Sequence, residues 1–172
     1  MNGLVLVAYA TKYGATKEIA EAIGEALHTA GRKAEVLAAE RVKDLSAYAA
    51  VILGSGVYIG QWRKEAVAFL ETHEKALADR PVWLFSSGPT GSGDPVHLMS
   101  GWRFPDPQKP IAERIHARDL AVFHGFTNPK KLSLPEKLIL KGVKAPIGDF
   151  RDWEAIRNWA RTVAEMLKAE AI

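Results

Sequence analysis

The sequence predicts an α/β fold in which one parallel sheet lies between two layers of helices. Three observations predict it. The strand candidates are unbroken apolar runs, such as VLVAYA at 5–10 and VWLF at 82–85, without the polar alternation of a sheet that faces water. Segments with apolar residues three and four apart separate these runs, the spacing of amphipathic helices. Glycine-rich loops follow several of the runs at their C-terminal ends, where open α/β sheets bind ligands.

Leu4–Ala10 is the first strand. Ile19, Ile23 and Leu27 then recur at helical spacing beside Ala20 and Ala30, until Gly31 ends the helix. Lys33–Ala38 is a short second strand and Ala49–Gly54 a third, followed by a helix whose apolar face carries Ala66, Phe69, Leu70 and Leu77. Pro81–Ser87 is the fourth strand. After a loop rich in glycine and proline come a short helix over Ile111–His116 and a fifth strand, Leu120–Gly125. The last helix opens with Asp149 or Asp152 as cap and aligns Trp153, Ile156, Ala160, Val163 and Leu167. Residues 1–172, 48% hydrophobic and without repeat or linker, read as one domain with a basic insert at about 128–148.

Composition excludes several functions. The chain has no cysteine, and its five histidines lack the spacings of a zinc site, so neither disulfide nor metal chemistry is expected and redox work requires a bound cofactor. The segment before Leu4 lacks the basic region of a secretory leader, and no apolar stretch approaches the ~20 residues of a membrane span. A cytoplasmic protein, soluble or peripherally attached, is expected. The net charge of +3 is concentrated in NPKKLSLPEKLILKGVK, Asn128–Lys144, whose five lysines and one glutamate leave the rest of the chain slightly acidic. That patch lacks the interleaved arginines and aromatics of a nucleic-acid surface.

Three loops at the ligand end of the sheet carry unusual residues. ATKYGATKEIA follows the first strand, where the start of a helix offers amides and a positive dipole end to a phosphate, Gly14 allows close approach, and Thr11 and Thr16 add hydroxyls. Thr16 alone reads equally as a helix cap. The Gly-Lys-Ser/Thr ending of a P-loop is absent, and the nearest approach to a dinucleotide fingerprint, Gly54-Ser-Gly56-Val-Tyr-Ile-Gly60, follows the third strand with its last glycine one place late. A monophosphate ligand fits better. GSGVYIGQW, Gly54–Trp62, offers two aromatic rings, and SSGPTGSGD, Ser86–Asp94, offers amides and hydroxyls with little bulk, so the two suit a flat heterocycle.

The T-x-Y-G-x-T pattern at Thr11–Thr16, the strand and glycine loop at 51–60 and the SSGPTGSGD loop resemble flavodoxin-type FMN-binding domains over nearly the whole chain. The resemblance leans towards the menaquinone-dependent protoporphyrinogen dehydrogenases, through the basic, apolar insert and the acidic-Trp start of the last helix in DFRDW, Asp149–Trp153. It implies a three-layer sandwich with a five-stranded sheet in the order 2-1-3-4-5. It also implies that Thr11, Lys12, Tyr13, Gly14, Ala15 and Thr16 bind the phosphate of FMN, that Ser55, Gly56, Val57 and Tyr58 lie along the ring, and that Ser87, Gly88, Pro89, Gly91 and Gly93 border its other side. Tyr58 and Trp62 are the stacking candidates, Trp62 reading equally as a core residue. The implied activity is electron transfer from an organic substrate, a porphyrinogen, to a quinone.

Charge separates this activity from that of an electron carrier. Asp94 is the only acid in the two ring loops, with Arg63 and Lys64 just beyond the second, and positive charge near a flavin favours its reduced, anionic form. The alternatives are a flavodoxin-type carrier that docks on redox proteins, for which an acidic face is lacking, and a nicotinamide-fed quinone reductase, for which no nucleotide pocket is evident. If Leu134–Lys144 is helical, Lys137, Lys141 and Lys144 share a face, with Leu138 and Ile139 turned away, and the piece either rests on an anionic membrane or forms a solvated loop. His97 reads as a proton acceptor or as an exposed side chain, Trp102 and Arg103 as substrate contacts or loop anchors, and His28, His73, His116 and His124 receive no role.

Overall fold

In strand β1 (Leu4–Ala10) of the computed structural model, Val5 and Val7 face one side of the sheet and Leu6 and Ala8 the other, and all four are buried. This double burial is why the run is unbroken: helices cover both faces. The structure describes residues 3–171. Met1 and Asn2, within the stretch read for a leader, and Ile172 lie outside them. On one face, α1 (Ala15–Thr29) and α6 (Trp153–Ala169) pack Ile23, Leu27, Ile156 and Leu167 against Val5, Ile52 and Phe85. On the other, α2 (Lys64–Ala78) and α4 (Lys109–Arg114) pack Phe69, Leu70 and Ala112 against Leu6, Leu53 and Leu84.

Five parallel strands, β2 (Ala34–Ala38), β1, β3 (Tyr48–Tyr58), β5 (Val82–Ser87) and β6 (Leu120–Phe123), lie side by side in that order, with registers such as Leu6↔Val51 and Gly54↔Phe85. Among the parallel strands this is the expected order. The strand count differs: a sixth, β4 (Gln61–Trp62), folds back antiparallel on the end of β3 through Val57↔Trp62. The hairpin turn places Ile59 and Gly60 at φ 50° and 68°, both left-handed, as a two-residue turn of this hand demands.

Several boundaries also differ from expectation. β3 runs four residues past Gly54 because Ser55–Tyr58 pair with β1, β5 and β4 in turn. β6 stops at Phe123, since Gly125 bends away to donate its N–H to the Pro89 carbonyl at 2.9 Å. Asp152, not Asp149, caps α6, accepting from the Ala155 N–H at 2.9 Å. One-turn helix α3 (Pro95–Leu98) interrupts the loop after β5. The insert leaves and re-enters through a two-stranded ladder, β7 (Phe126–Thr127) on β8 (Gly148–Asp149), and carries helix α5 (Leu134–Gly142). Among the described residues no helix is long and apolar enough to cross a membrane.

Candidate functional site

The turn from β1 into α1 is built for a ligand at the helix start. Thr11 Oγ1 accepts the Gly14 N–H at 2.9 Å, and Gly14 adopts φ 97°, a conformation that strains any side chain. The loop thereby closes tightly, and the first-turn amides of α1, which have no intrahelical acceptor, belong to Ala15 and Thr16, which line the cavity, and their neighbour. Gly14 itself is the cap residue, so Thr16 is not the cap: it sits in the first turn, buried, on the cavity wall.

The second loop divides into floor and brace. At Gly54 a Cβ would lie 1.9 Å from the Phe85 ring, so only glycine fits above that side chain. Ser55 is fully buried, its Oγ accepting from the Arg63 N–H at 2.9 Å and donating to the Gly56 carbonyl at 2.8 Å; it braces the hairpin and does not line the cavity. Gly56 faces Thr16, whose Oγ1 would stand 3.2 Å from an added Cβ. Val57 and Tyr58 line the cavity. Lys12 and Arg63 lie 5.4 and 5.7 Å from the centre of the Tyr58 ring; burial pushes this phenol up and Lys12 pulls it down. Trp62 faces the core instead, as the alternative reading had it. Its Nε1–H donates to Ser86 Oγ at 2.8 Å, and its ring meets Phe104 edge-on at 4.8 Å.

Of the third loop, Ser87 and Gly88 reach the cavity, whereas Pro89, Gly91 and Gly93 do not. His124, buried at the end of β6, accounts for the departure. Its Nε2 lies 2.7 Å from the Gly93 carbonyl and its Nδ1 3.3 Å from that of Pro89, drawing the loop away from the cavity. Asp94 caps α3, accepting the His97 N–H at 2.9 Å. His97 lines no part of the cavity, Trp102 packs against the core, and Arg103 reaches the Leu120 carbonyl at 3.4 Å.

The cavity measures about 360 Å³, ample for a cofactor. It unites Thr11, Lys12, Tyr13, Ala15, Thr16, Gly56, Val57, Tyr58, Ser87 and Gly88; Gly14 shapes the loop from behind. Sequence reasoning missed Ile59, the Gly125–Asn128 stretch and four residues of the insert, Leu132, Glu136, Ile139 and Leu140. The Ser133-x-x-Glu136 pattern was the available signal, because it forms a capping box that starts α5. Glu136 does more than cap. Its carboxylate accepts from the Lys12 ammonium, from the Tyr13 hydroxyl at 2.6 Å and from the Ser133 N–H at 2.8 Å, while Lys131 Nζ donates to the Tyr13 carbonyl at 2.9 Å. Lys12, then Tyr13 and Ser133, hold the Glu136 carboxyl down at about 2. The insert is thus clamped to the first loop, and the cavity has an acid that the count over the ring loops omitted.

Arg151 of DFRDW fixes the base of the insert. Its side chain, 5% exposed, donates to Asp149 at 2.7 and 2.9 Å, to the Ala15 carbonyl at 3.3 Å and to Glu18, and stacks over Phe126 and Trp153 at 5.0 and 4.5 Å. It ties the start of α1 to the ladder.

A helix start, a parallel sheet's C-terminal edge and a walled cavity between them define a doubly wound α/β protein with a cavity where such sheets bind their ligands. Residues 6–153 match the family model of the flavodoxin domain, and the chain belongs to that family, whose cofactor is FMN. Its fold is similar to a flavodoxin from the domain Archaea (17% identity, TM-score 0.64, 96% of this chain and 99% of that one) and to flavodoxin 2 from Bacillus cereus (23%, 0.62, 95% and 99%). It is also similar to rubredoxin oxygen:oxidoreductase from Desulfovibrio gigas (16%, 0.62), where it covers 98% of this chain and spans only 37% of that one. No curated protein sequence matches significantly.

Proposed function

We propose that the chain, working as one domain, is an FMN-dependent dehydrogenase that takes electrons from an organic substrate of the porphyrinogen kind and delivers them to a quinone. The insert carries this reading. Leu132, Ile139 and Leu140 border the cavity, which suits an organic reactant with apolar surface; a carrier that docks on proteins needs its cofactor edge on an open face. Among the described residues of the cavity wall Glu136 is the only acid, and Lys12 neutralises it.

The donor set supports FMN. The Thr11–Thr16 loop joins two hydroxyls, a lysine and helix-start amides for its phosphate, and Gly56 keeps open the space beside Thr16 that a side chain would crowd. Gly56, Val57 and Tyr58 would border one side of the ring and Ser87 and Gly88 the other. FMN, when bound, supplies two-electron chemistry between an organic donor and an acceptor. Lys12, paired with Glu136, and Arg63, paired with Glu65 at 3.3 Å, stand over the Tyr58 ring. Each turnover removes two electrons and two protons from the substrate, and both end on the quinone as quinol.

The outer face of α5 supports a membrane site on the cytoplasmic side. Leu134, Lys137, Leu138 and Lys141 share it, with Leu134 and Leu138 strongly exposed, so Leu138 lies with the lysines, while Ile139, half exposed, and Leu140 border the cavity. Apolar side chains among lysines suit an anionic bilayer, where quinone dissolves. Flotation with anionic liposomes that a variant with the five insert lysines changed to glutamine does not share would support it. The function is tested by anaerobic titration of the FMN-loaded protein with protoporphyrinogen and then a menaquinone analogue. Bleaching and return of the flavin absorption are expected; a flavin that stays oxidised with the porphyrinogen, yet is reduced reversibly by a chemical reductant, would return the chain to the carriers.

A further inference from the structure

Beside the cofactor cavity lies a second one of about 380 Å³, and Val57, Ile59, Gly88, Thr127 and Leu140 form a wall common to both. Three segments close its far side: Leu98 and Met99 of α3 and the residue after it, Pro89 and Thr90 of the third loop, and Val143, Lys144 and Pro146 at the end of the insert. They meet at Gly91, where an added Cβ would lie 3.6 Å from Leu98 and 3.7 Å from Pro146. The glycine-rich third loop, turned away from the first cavity, therefore builds the second.

We propose that this second cavity binds an apolar ring compound whose polar edge is made of oxygens, carbonyl or carboxylate, and holds it against the cofactor cavity. The inference rests on reading the first cavity as the FMN site and gives the reactant its place beside it. Two properties of the wall carry it. The wall sets aliphatic side chains among exposed polar groups, which include the Thr90 and Thr127 hydroxyls and the Lys144 ammonium, with no carboxylate side chain. Such a surface satisfies oxygen acceptors and repels cations.

The second property is its exposure. Ile59 is 85% exposed, Val143 68% and Leu98 43%, and all three line this cavity, so water covers large apolar side chains there when no ligand does. Ile59 is also a β-branched residue at φ 50°, where glycine or asparagine is the comfortable choice. Neither its exposure nor its backbone helps folding. Both follow if the side chain serves as the partition between a bound ring and the cofactor.

The test uses the full FMN-loaded chain and three probes: 2-naphthoate, whose own fluorescence anisotropy reports binding, 1,4-naphthoquinone as competitor, and 1-naphthylmethylammonium as a cationic control. Naphthoate is expected to bind, naphthoquinone to displace it, and the cation to bind at least tenfold more weakly. Val143→Asp should weaken both oxygen-bearing rings about tenfold and FMN far less. Lys144→Gln distinguishes the two polar edges: weakening of naphthoate alone assigns a carboxylate, equal weakening of both a carbonyl. A chain that binds FMN but neither ring, or that binds the cation as tightly, overturns the second site. Failure to bind FMN overturns the functional reading instead, and the anisotropy of naphthoate still reports on the second cavity.

Discussion

Glu136→Gln tests whether the insert is a clamped roof. The wild-type carboxylate takes the Tyr13 hydroxyl at 2.6 Å and the Ser133 N–H at 2.8 Å, both on Oε2, and the Lys12 ammonium on Oε1. Glutamine keeps one acceptor oxygen and replaces the other with a donor, so part of this set is lost and the rest loses its charge assistance. A hydrogen bond to a charged group contributes about 1.5–3 kcal/mol, and partial exposure lowers this, so the loss is about 1 kcal/mol. That is about a fivefold rise in the fraction of time the insert stands open. Amide hydrogen exchange should therefore quicken about fivefold over Leu134–Gly142 and stay unchanged in β1 and β3. The same variant should release FMN faster. Acid acts in the same direction: the carboxyl is held at about 2 against an ordinary 4.5, so the clamp is complete above about pH 4.5 and is lost as pH falls towards 2. Unchanged exchange in the insert of E136Q would refute the clamp.

Gly54→Ala forces a methyl into the Phe85 ring, which is 1% exposed and cannot yield; a loss of about 3 kcal/mol or more is expected in urea unfolding. Trp62→Phe removes the donor to Ser86 and should cost about 1 kcal/mol of stability while FMN affinity is kept; the opposite pattern would restore Trp62 as a stacking residue. Gly56→Ala places a methyl 3.2 Å from Thr16 Oγ1, so FMN titration should show about tenfold weaker binding with a smaller change in melting temperature. Ile59→Gly relieves a left-handed β-branched residue and should raise stability by about 0.5–1 kcal/mol.

The α/β class and the first loop were legible because they are local. Unbroken apolar runs, three- and four-residue periodicity and a glycine before a helix state their physics within a dozen residues, and Ile23, Leu27, Ile156 and Leu167 fall in the core as their spacing requires. The sequence by itself therefore determined which segments are strands and helices, which of their faces are buried and where a glycine loop precedes a helix. Only the tertiary structure decided which loop residues face the cavity. Ser55 and Trp62 turn to hydrogen-bond partners eight and twenty-four residues away, and His124 draws Pro89 and Gly93 aside across more than thirty. The insert is the largest such decision. Its lysines and leucines describe a basic amphipathic helix and nothing more, because no local pattern states that Glu136 meets Lys12 and Tyr13 from more than a hundred residues along the chain. Periodicity reports how a segment meets a core, whereas a partner so distant is set by how the sheet brings loop ends together.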